Sequence, residues 1–248
     1  MTASPQLSVI IPAFNEERRL PVYLSRVIEY LERQPFPAEI IIVDDGSRDG
    51  TAAVVERFAA EHSLVRLIRL PRNRGKGHAV KTGMIAASGR MRLFADADGA
   101  TPIAEVERLQ SAIAAGADVA VGSRALRDEA LVVKARIHRR FIGTVFNFIV
   151  RTLTVRGIND TQCGFKLFTA RAADAVFSLQ QIDDFGFDVE LLYISRRNGF
   201  RIAEVPVNWT DIPGTKVKIV RDSLRMLKDV FKIRLHDLRG GYRDRTIP

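Results

Sequence analysis

The chain has 248 residues, 46% of them hydrophobic, with one cysteine and a formal net charge of +9. That length and apolar content fit one large domain, or one domain with an appendage, and exclude a disordered chain. The single Cys163 excludes an internal disulfide and suits a reducing compartment. The first residues carry no basic-then-apolar signal. No uncharged apolar run approaches the roughly 20 residues of a membrane-spanning helix. The positive charge is local: residues 124–151 hold seven Lys/Arg against two acids, and residues 216–245 hold ten against four. Such clusters point to a polyanionic partner at particular surfaces.

Leu7 to Pro12 is a short β-branched run with the character of a buried parallel strand. Apolar spacing at Leu20, Leu24, Val27, Ile28 and Leu31 predicts a helix from Asn15 to Arg33, with Asn15 as its cap. Further strands are expected at 39–43, 64–70, 91–95 and 118–121, with helices at 51–60, 75–87 and 102–115 between them. Strands alternating with helices predict a layered, mostly parallel α/β sheet. After Gly122 the rhythm breaks. Residues 137–155 read as an apolar helix, 160–169 as mixed loop and strand, 188–197 as a helix and 200–207 as a strand. The last segment is amphipathic, with Val220, Leu224, Leu227 and Phe231 on one stripe and Arg221, Arg225, Lys228 and Lys232 on another. That arrangement suits an anionic bilayer surface, and it equally suits a packed terminal helix with a solvated face.

Asp96 and Asp98 follow the apolar run Met91 to Ala95, and positions i and i+2 of an extended chain point the same way. Two acids that close repel each other unless a cation or a donor sits between them, and Asp-Gly after a strand also suits an ordinary turn. Oxygen ligands suit Mg²⁺ or Mn²⁺, and such an ion commonly bridges to a substrate phosphate. Asp44 and Asp45 end the second strand, where a carboxylate can bind a ribose or a base edge. The stretch Arg74-Gly75-Lys76-Gly77 offers cations and backbone N–H groups at a helix start, which suits phosphate. It has neither the Walker spacing nor G-x-G-x-x-G, which disfavours an ATPase or a dehydrogenase. A nucleotidyltransferase would need a Gly-rich loop after the first strand, where this chain has Pro-Ala-Phe-Asn-Glu. Nucleic-acid stacking would need exposed aromatics among the tail cations, and only Phe231 and Tyr242 fall there. No metal-ligand spacing joins His62, His78, His138 and His236.

The stretches Ser8 to Glu16, Val43 to Thr51, Asn73 to Gly77 and Ala95 to Gly99 closely resemble, in order and spacing, the nucleotide-sugar half of inverting family 2 glycosyltransferases. Downstream, Val121-Gly-Ser-Arg124, Asp160 to Phe168, Glu204 to Trp209 and Ile212 to Val217 look like that family's dolichyl-phosphate glucosyltransferase branch. The resemblance implies a GT-A type fold in a single domain over 1–240, with a nucleotide-sugar half at 7–124, an acceptor half at 125–240 and a tail at 241–248. It implies a UDP-glucose donor, a polyprenyl or dolichyl phosphate acceptor, and Mg²⁺ or Mn²⁺ at Asp98 with Asp96 in support. Pro12, Ala13, Glu16, Asp44 and Asp45 would then hold uridine and ribose, and Arg74, Lys76 and Lys216 the diphosphate. Arg124 and Arg139 would receive the acceptor phosphate, with Asp160 beside it, orienting rather than abstracting a proton. Mannosyl-transferring relatives keep a metal-holding Gln where this chain has Ala100. The same reading expects peripheral attachment at the cytoplasmic face of a membrane, and no nucleic acid as partner.

Overall fold

The computed structural model describes residues 4–126, 133–134, 154–155, 157–212 and 219–243. The helix expected over 137–155, together with Arg139 and Lys216, lies outside the described residues apart from Thr154 and Val155. In chain order the elements begin β1 (Leu7–Ala13), α1 (Leu20–Glu32), β2 (Ala38–Asp44), α2 (Thr51–Glu61), β3 (Val65–Arg69), α3 (Lys76–Ala86) and β4 (Met91–Ala95). They continue through α4 (Val106–Ala114), β5 (Val119–Ser123), β6 (Val133–Lys134), β7 (Phe165–Thr169) and α5 (Ala170–Leu179). The last are α6 (Phe187–Arg197), β8 (Ile202–Pro206), β9 (Trp209–Thr210) and α7 (Ile219–Leu238).

Seven strands form one sheet in the order β3-β2-β1-β4-β7-β5-β8, and β6 pairs with β9 beside it. β1 is parallel to β2 and β4, β2 to β3, and β5 to β8. β7 runs antiparallel to both of its neighbours, β4 and β5. All seven residues of β1 are buried, as the central strand of a sheet covered on both faces must be. Alternate side chains supply two cores: Ile10, Ile41 and Val43 pack with α3, α5 and α6, while Val9, Ile11, Ile40 and Ile42 pack with α1 and α4. The expected mostly parallel α/β architecture is therefore what the chain builds, with one strand reversed.

That reversal positions the site. Because β7 is antiparallel, its amino-terminal end lies at the same edge as the carboxyl ends of β4 and β5. The loop from Asp160 to Gly164 therefore faces the loops after β4 and β5.

Three expectations need correction. α1 begins at Leu20, not Asn15, because Asn15 adopts φ 52 and its amide Oδ1 accepts the Arg48 N–H at 2.8 Å. Asn15 ties two loops together, and Pro21 in the first turn starts the helix instead. α5 was not expected, although Thr169 caps it by accepting the Ala172 N–H at 3.2 Å. The stripe that α7 turns inward holds Val230 and Ile233, while Phe231 is exposed. Tyr193 and Arg197 of α6 fix that rotation by bonding Asp237 at 2.6 and 2.8 Å.

Candidate active site

Along the sheet edge, the loops after β1, β2 and β3 enclose a cavity of about 560 Å³ lined by Phe14, Asp44, Ser47, Arg48, Arg69 and Asn73, among others. Asp44 accepts the Ser47 N–H at 3.0 Å, which shapes the turn after β2. Asp45 faces elsewhere: its two oxygens accept the backbone N–H groups of Arg74 and Gly75 at 2.8 and 2.9 Å. It fastens the β2 turn to the start of α3. His78 N–H donates to Asp183 O at 3.1 Å. Three backbone donors around the start of α3 are thus satisfied within the protein, and this helix start is not the open phosphate cradle that its sequence suggested. Gly75 and Gly77 serve the close approach of the 182–183 backbone: an added Cβ at either would meet a main-chain oxygen at 2.5 Å.

Lys76 is the cation that reaches the centre. Its Nζ lies 2.6 Å from Asp96 Oδ1 and 5.2 Å from the centroid of the Phe94 ring. Beneath, fully buried Lys166 pairs with Asp188 and donates to Cys163 O at 2.7 Å. The Asp96 carboxylate lies over Gly164, where a Cβ would meet Oδ2 at 2.0 Å. Asp98 Oδ1 accepts the Ala100 N–H at 3.0 Å, and Ala100 O accepts from Thr210 of β9 at 2.9 Å. Ala100 thus braces the Asp98 turn through its backbone. Burial, and then the neighbouring Asp96 charge, hold the Asp98 carboxyl above its usual range. Glu16 binds Arg19 through Nε at 2.7 Å and Nη2 at 2.5 Å, and Arg19 brings positive charge toward both acids. Pro12 and Ala13 complete β1 and are buried in it.

Across β7 stands the second charged centre. Asp160 is 2% exposed and takes Arg124 Nε at 2.6 Å, Nη2 at 2.8 Å and the Arg124 backbone N–H at 2.9 Å. Burial opposes ionisation of Asp160, but the Arg124 charge and hydrogen bonds prevail and hold its carboxyl below the ordinary range. Glu204 on β8 sets this loop, accepting Ser123 Oγ at 2.7 Å and the Asp160 N–H at 2.8 Å. The Arg124 guanidinium lies 5.3 Å from the Trp209 ring centroid. Trp209, expected in the core with Phe165 and Phe168, is instead a half-buried platform, while Phe165 and Phe168 are core residues.

Among the described residues no three His, Cys, Asp or Glu side chains converge as a complete metal cage. Asp96 and Asp98 nevertheless fit a divalent ion that takes its remaining ligands from phosphate and water. The raised Asp98 carboxyl marks a site where added positive charge would be favourable.

The glycosyl transferase family 2 pattern matches residues 8–177. The chain belongs to glycosyl transferase family 2. This glycosyltransferase is 43% identical over 251 residues to the dolichyl-phosphate beta-glucosyltransferase of Mus musculus, covering 96% of this chain and 78% of the mouse protein. Against the Saccharomyces cerevisiae protein of the same name it is 38% identical, covering 96% of this chain and 77% of that one. Among solved structures it resembles glucosyl-3-phosphoglycerate synthase from Mycobacterium tuberculosis in complex with UDP, at TM-score 0.69 and 19% identity, covering 93% of this chain and 80% of that one. It also resembles a Pyrobaculum calidifontis mannosyltransferase in complex with GDP-Man and Mn²⁺, at TM-score 0.60 and 20% identity, covering 100% of this chain and 67% of that one. Those likenesses establish the fold.

Sequence reasoning assigned no role to Arg69 of the cavity, nor to Lys166, Asp188 and Glu204. Arg69 ends β3, and the carboxyl end of a strand is a usable signal. For Lys166 and Asp188 the pairing arises only from tertiary packing.

Proposed function

We propose that this glycosyltransferase transfers glucose from UDP-glucose to a dolichyl-type polyprenyl phosphate with inversion at C1. One observation carries the reading: the linear order of chemistry along the sheet edge. The nucleoside-sized cavity lies at β3-β2-β1, the paired acids follow β4, and the caged Arg124 follows β5, across β7. Base and ribose, diphosphate, and acceptor phosphate fit that order in one direction. The activity named for the mouse and yeast relatives supports the sugar and the acceptor.

In this reading Asp44 faces the ribose, and Lys76, still paired with Asp96, sets positive charge beside the diphosphate together with Arg74. Asp98, supported by Asp96, would hold a Mg²⁺ or Mn²⁺ ion, which when bound supplies positive charge for the departing UDP. Arg124 spends Nε and Nη2 on Asp160 and keeps Nη1 for the acceptor phosphate, among the described residues. An acceptor oxygen bonds to C1 from the face opposite the leaving group, the C1–O bond to the diphosphate breaks, and UDP carries away the electron pair. A phosphate monoester, with a second pKa of about 6, needs no base at neutral pH. Asp160, held ionised by Arg124, orients that arginine and takes no proton. Arg139 and Lys216 are proposed as further phosphate contacts.

Purified protein incubated with labelled UDP-glucose, polyprenyl phosphate and Mg²⁺ should yield label extractable into organic solvent. Label from GDP-mannose instead, or transfer to a soluble hydroxyl acceptor without lipid, would replace this assignment.

A further inference from the structure

α7 is apolar on two separate faces. Its inward face presents Val230 at 1% and Ile233 at 0% exposure to the body of the protein. Its outward face carries Phe231, Leu235 and Leu238 at 63%, 50% and 80% exposure. Five large apolar side chains stand mostly exposed among the described residues, and the other two, Val22 and Ile85, lie apart on α1 and α3. The three on α7 are spaced i, i+4 and i+7, which places them within a sector of roughly 60° at 3.6 residues per turn.

The flanks of this stripe are basic. On the same helical geometry Lys228, Lys232, Arg225 and Arg239 fall on one side and Arg234 on the other, all of them exposed. The helix's two described acids turn away. Asp229 is buried, pairing with Lys232, and Asp237 bonds Tyr193 and Arg197 of α6. The outward face therefore offers hydrophobic side chains between cations, with no carboxylate among its described residues. No helix among the described residues is long and apolar enough to cross a membrane.

We infer that the outward face of α7 is a docking surface for an anionic lipid bilayer, with Phe231, Leu235 and Leu238 entering the boundary between headgroups and acyl chains. The flanking Lys and Arg stems can extend their charges to lipid phosphates while their methylenes lie along the apolar stripe. Charge decides between occupants. A second copy of this helix would bring like charges together, whereas an anionic surface complements all five cations. The inference deepens the proposed function, since a lipid-borne acceptor has to be met at a membrane surface. Its test requires no turnover.

The experiment is flotation of the full chain with phosphatidylcholine vesicles, with and without phosphatidylserine, comparing wild type with Phe231→Ser/Leu238→Ser and with Lys228→Glu/Arg239→Glu. Wild type should float with the anionic vesicles and lose that binding as salt rises. Each double variant should bind about ten-fold more weakly. Circular dichroism and protection by UDP with Mn²⁺ should stay unchanged in both, because these side chains face solvent. Equal flotation of wild type and variants would overturn the inference, as would absence of wild-type binding at low salt. A dimer in solution that the Ser variant dissolves would assign the stripe to a second copy and overturn it too. Failure of glucosyl transfer with intact flotation would count against the acceptor assignment alone.

Discussion

Replacing Asp160 with Asn keeps the shape of the loop and removes the charge that holds Arg124. Three hydrogen bonds of 2.6 to 2.9 Å lose their ionised acceptor. Breaking a buried pair from one side typically costs about 3–5 kcal/mol, because the partner's charge is left behind. Arg124 keeps 32% of its side-chain surface while Asp160 keeps 3%, so water recovers part of that loss. The expected destabilisation is therefore about 2–3 kcal/mol, which lowers the urea midpoint by about 1 M at typical slopes. The Asp160 carboxyl titrates below its unfolded value, so the pair's contribution is complete above the unfolded pKa of about 4. It disappears as pH falls through the lower folded value. The gap between wild type and variant should accordingly close in acid. Equilibrium urea unfolding at neutral and acid pH, in a double-mutant cycle with Arg124→Met, measures both quantities. A midpoint unchanged at neutral pH, or a coupling energy below about 0.5 kcal/mol, would refute the reasoning. Transfer activity in Asp160→Asn should fall about 100-fold if Arg124 is aimed by this carboxylate, which is about 2.7 kcal/mol of barrier.

Asp98→Asn should raise the stability of the metal-free protein at neutral pH, because burial and Asp96 make ionised Asp98 unfavourable there. The same variant should lose the thermal shift that Mn²⁺ and UDP give the wild type; an undiminished shift contradicts the metal assignment. Gly164→Ala places a Cβ 2.0 Å from Asp96 Oδ2 and should displace that carboxylate, weakening Mn²⁺ binding at least about ten-fold; calorimetric titration with unchanged affinity would count against it. Cys163 is buried, and its thiol is pushed up to about 12 by burial, so a thiol reagent at mildly alkaline pH should react only as fast as the protein unfolds. Tyr242→Phe removes the hydroxyl that donates to buried Glu190 at 2.5 Å and should cost about 1–3 kcal/mol in denaturant unfolding.

The first half of the fold could be read from sequence because each strand is a short β-branched run followed by turn residues and a helix of clear period. Its boundaries shift by only a residue or two, except at α4, whose expected first turn is a 3-10 turn over Ile103–Glu105, and at α1. There the loop 14–19 contains an Asn in the left-handed region, and helical spacing alone cannot detect that. The second half was harder because β7 is reversed. Its residues 165–169 carry the same apolar signature that a parallel strand would have, and direction is decided by the connection, not the composition. α5 carries its own signals in the Thr169 cap and in the helical spacing of Ala172, Ala173, Val176 and Phe177. Within the site, the acids at strand ends could be located, but their partners could not. The adjacent residues Asp44 and Asp45 divide their work, one facing the cavity and the other binding two main-chain donors.

That division explains where positive charge is still required. Four acids end β2 and β4, and the protein satisfies two of them itself: Asp45 with two backbone N–H groups, and Asp96 with Lys76 at 2.6 Å. Farther along the edge Asp160 has Arg124, and below it Asp188 has Lys166. Among the described residues Asp44 and Asp98 keep no direct cation, each accepting a single backbone N–H. Asp44 borders the nucleoside-sized cavity, where a hydroxyl can donate to it. Asp98 follows β4, between the strands that carry that cavity and Arg124, and its carboxyl is held up by burial and by the Asp96 charge. A diphosphate placed there alone would add more negative charge. A diphosphate arriving with a divalent ion would bring the charge that Asp98 lacks and leave Lys76 engaged with Asp96. Donor and metal are then expected to bind together, each strengthening the other by the same factor. Titrating Mn²⁺ with and without UDP would measure that factor, and independent binding would show that Lys76 rather than Asp98 governs the diphosphate.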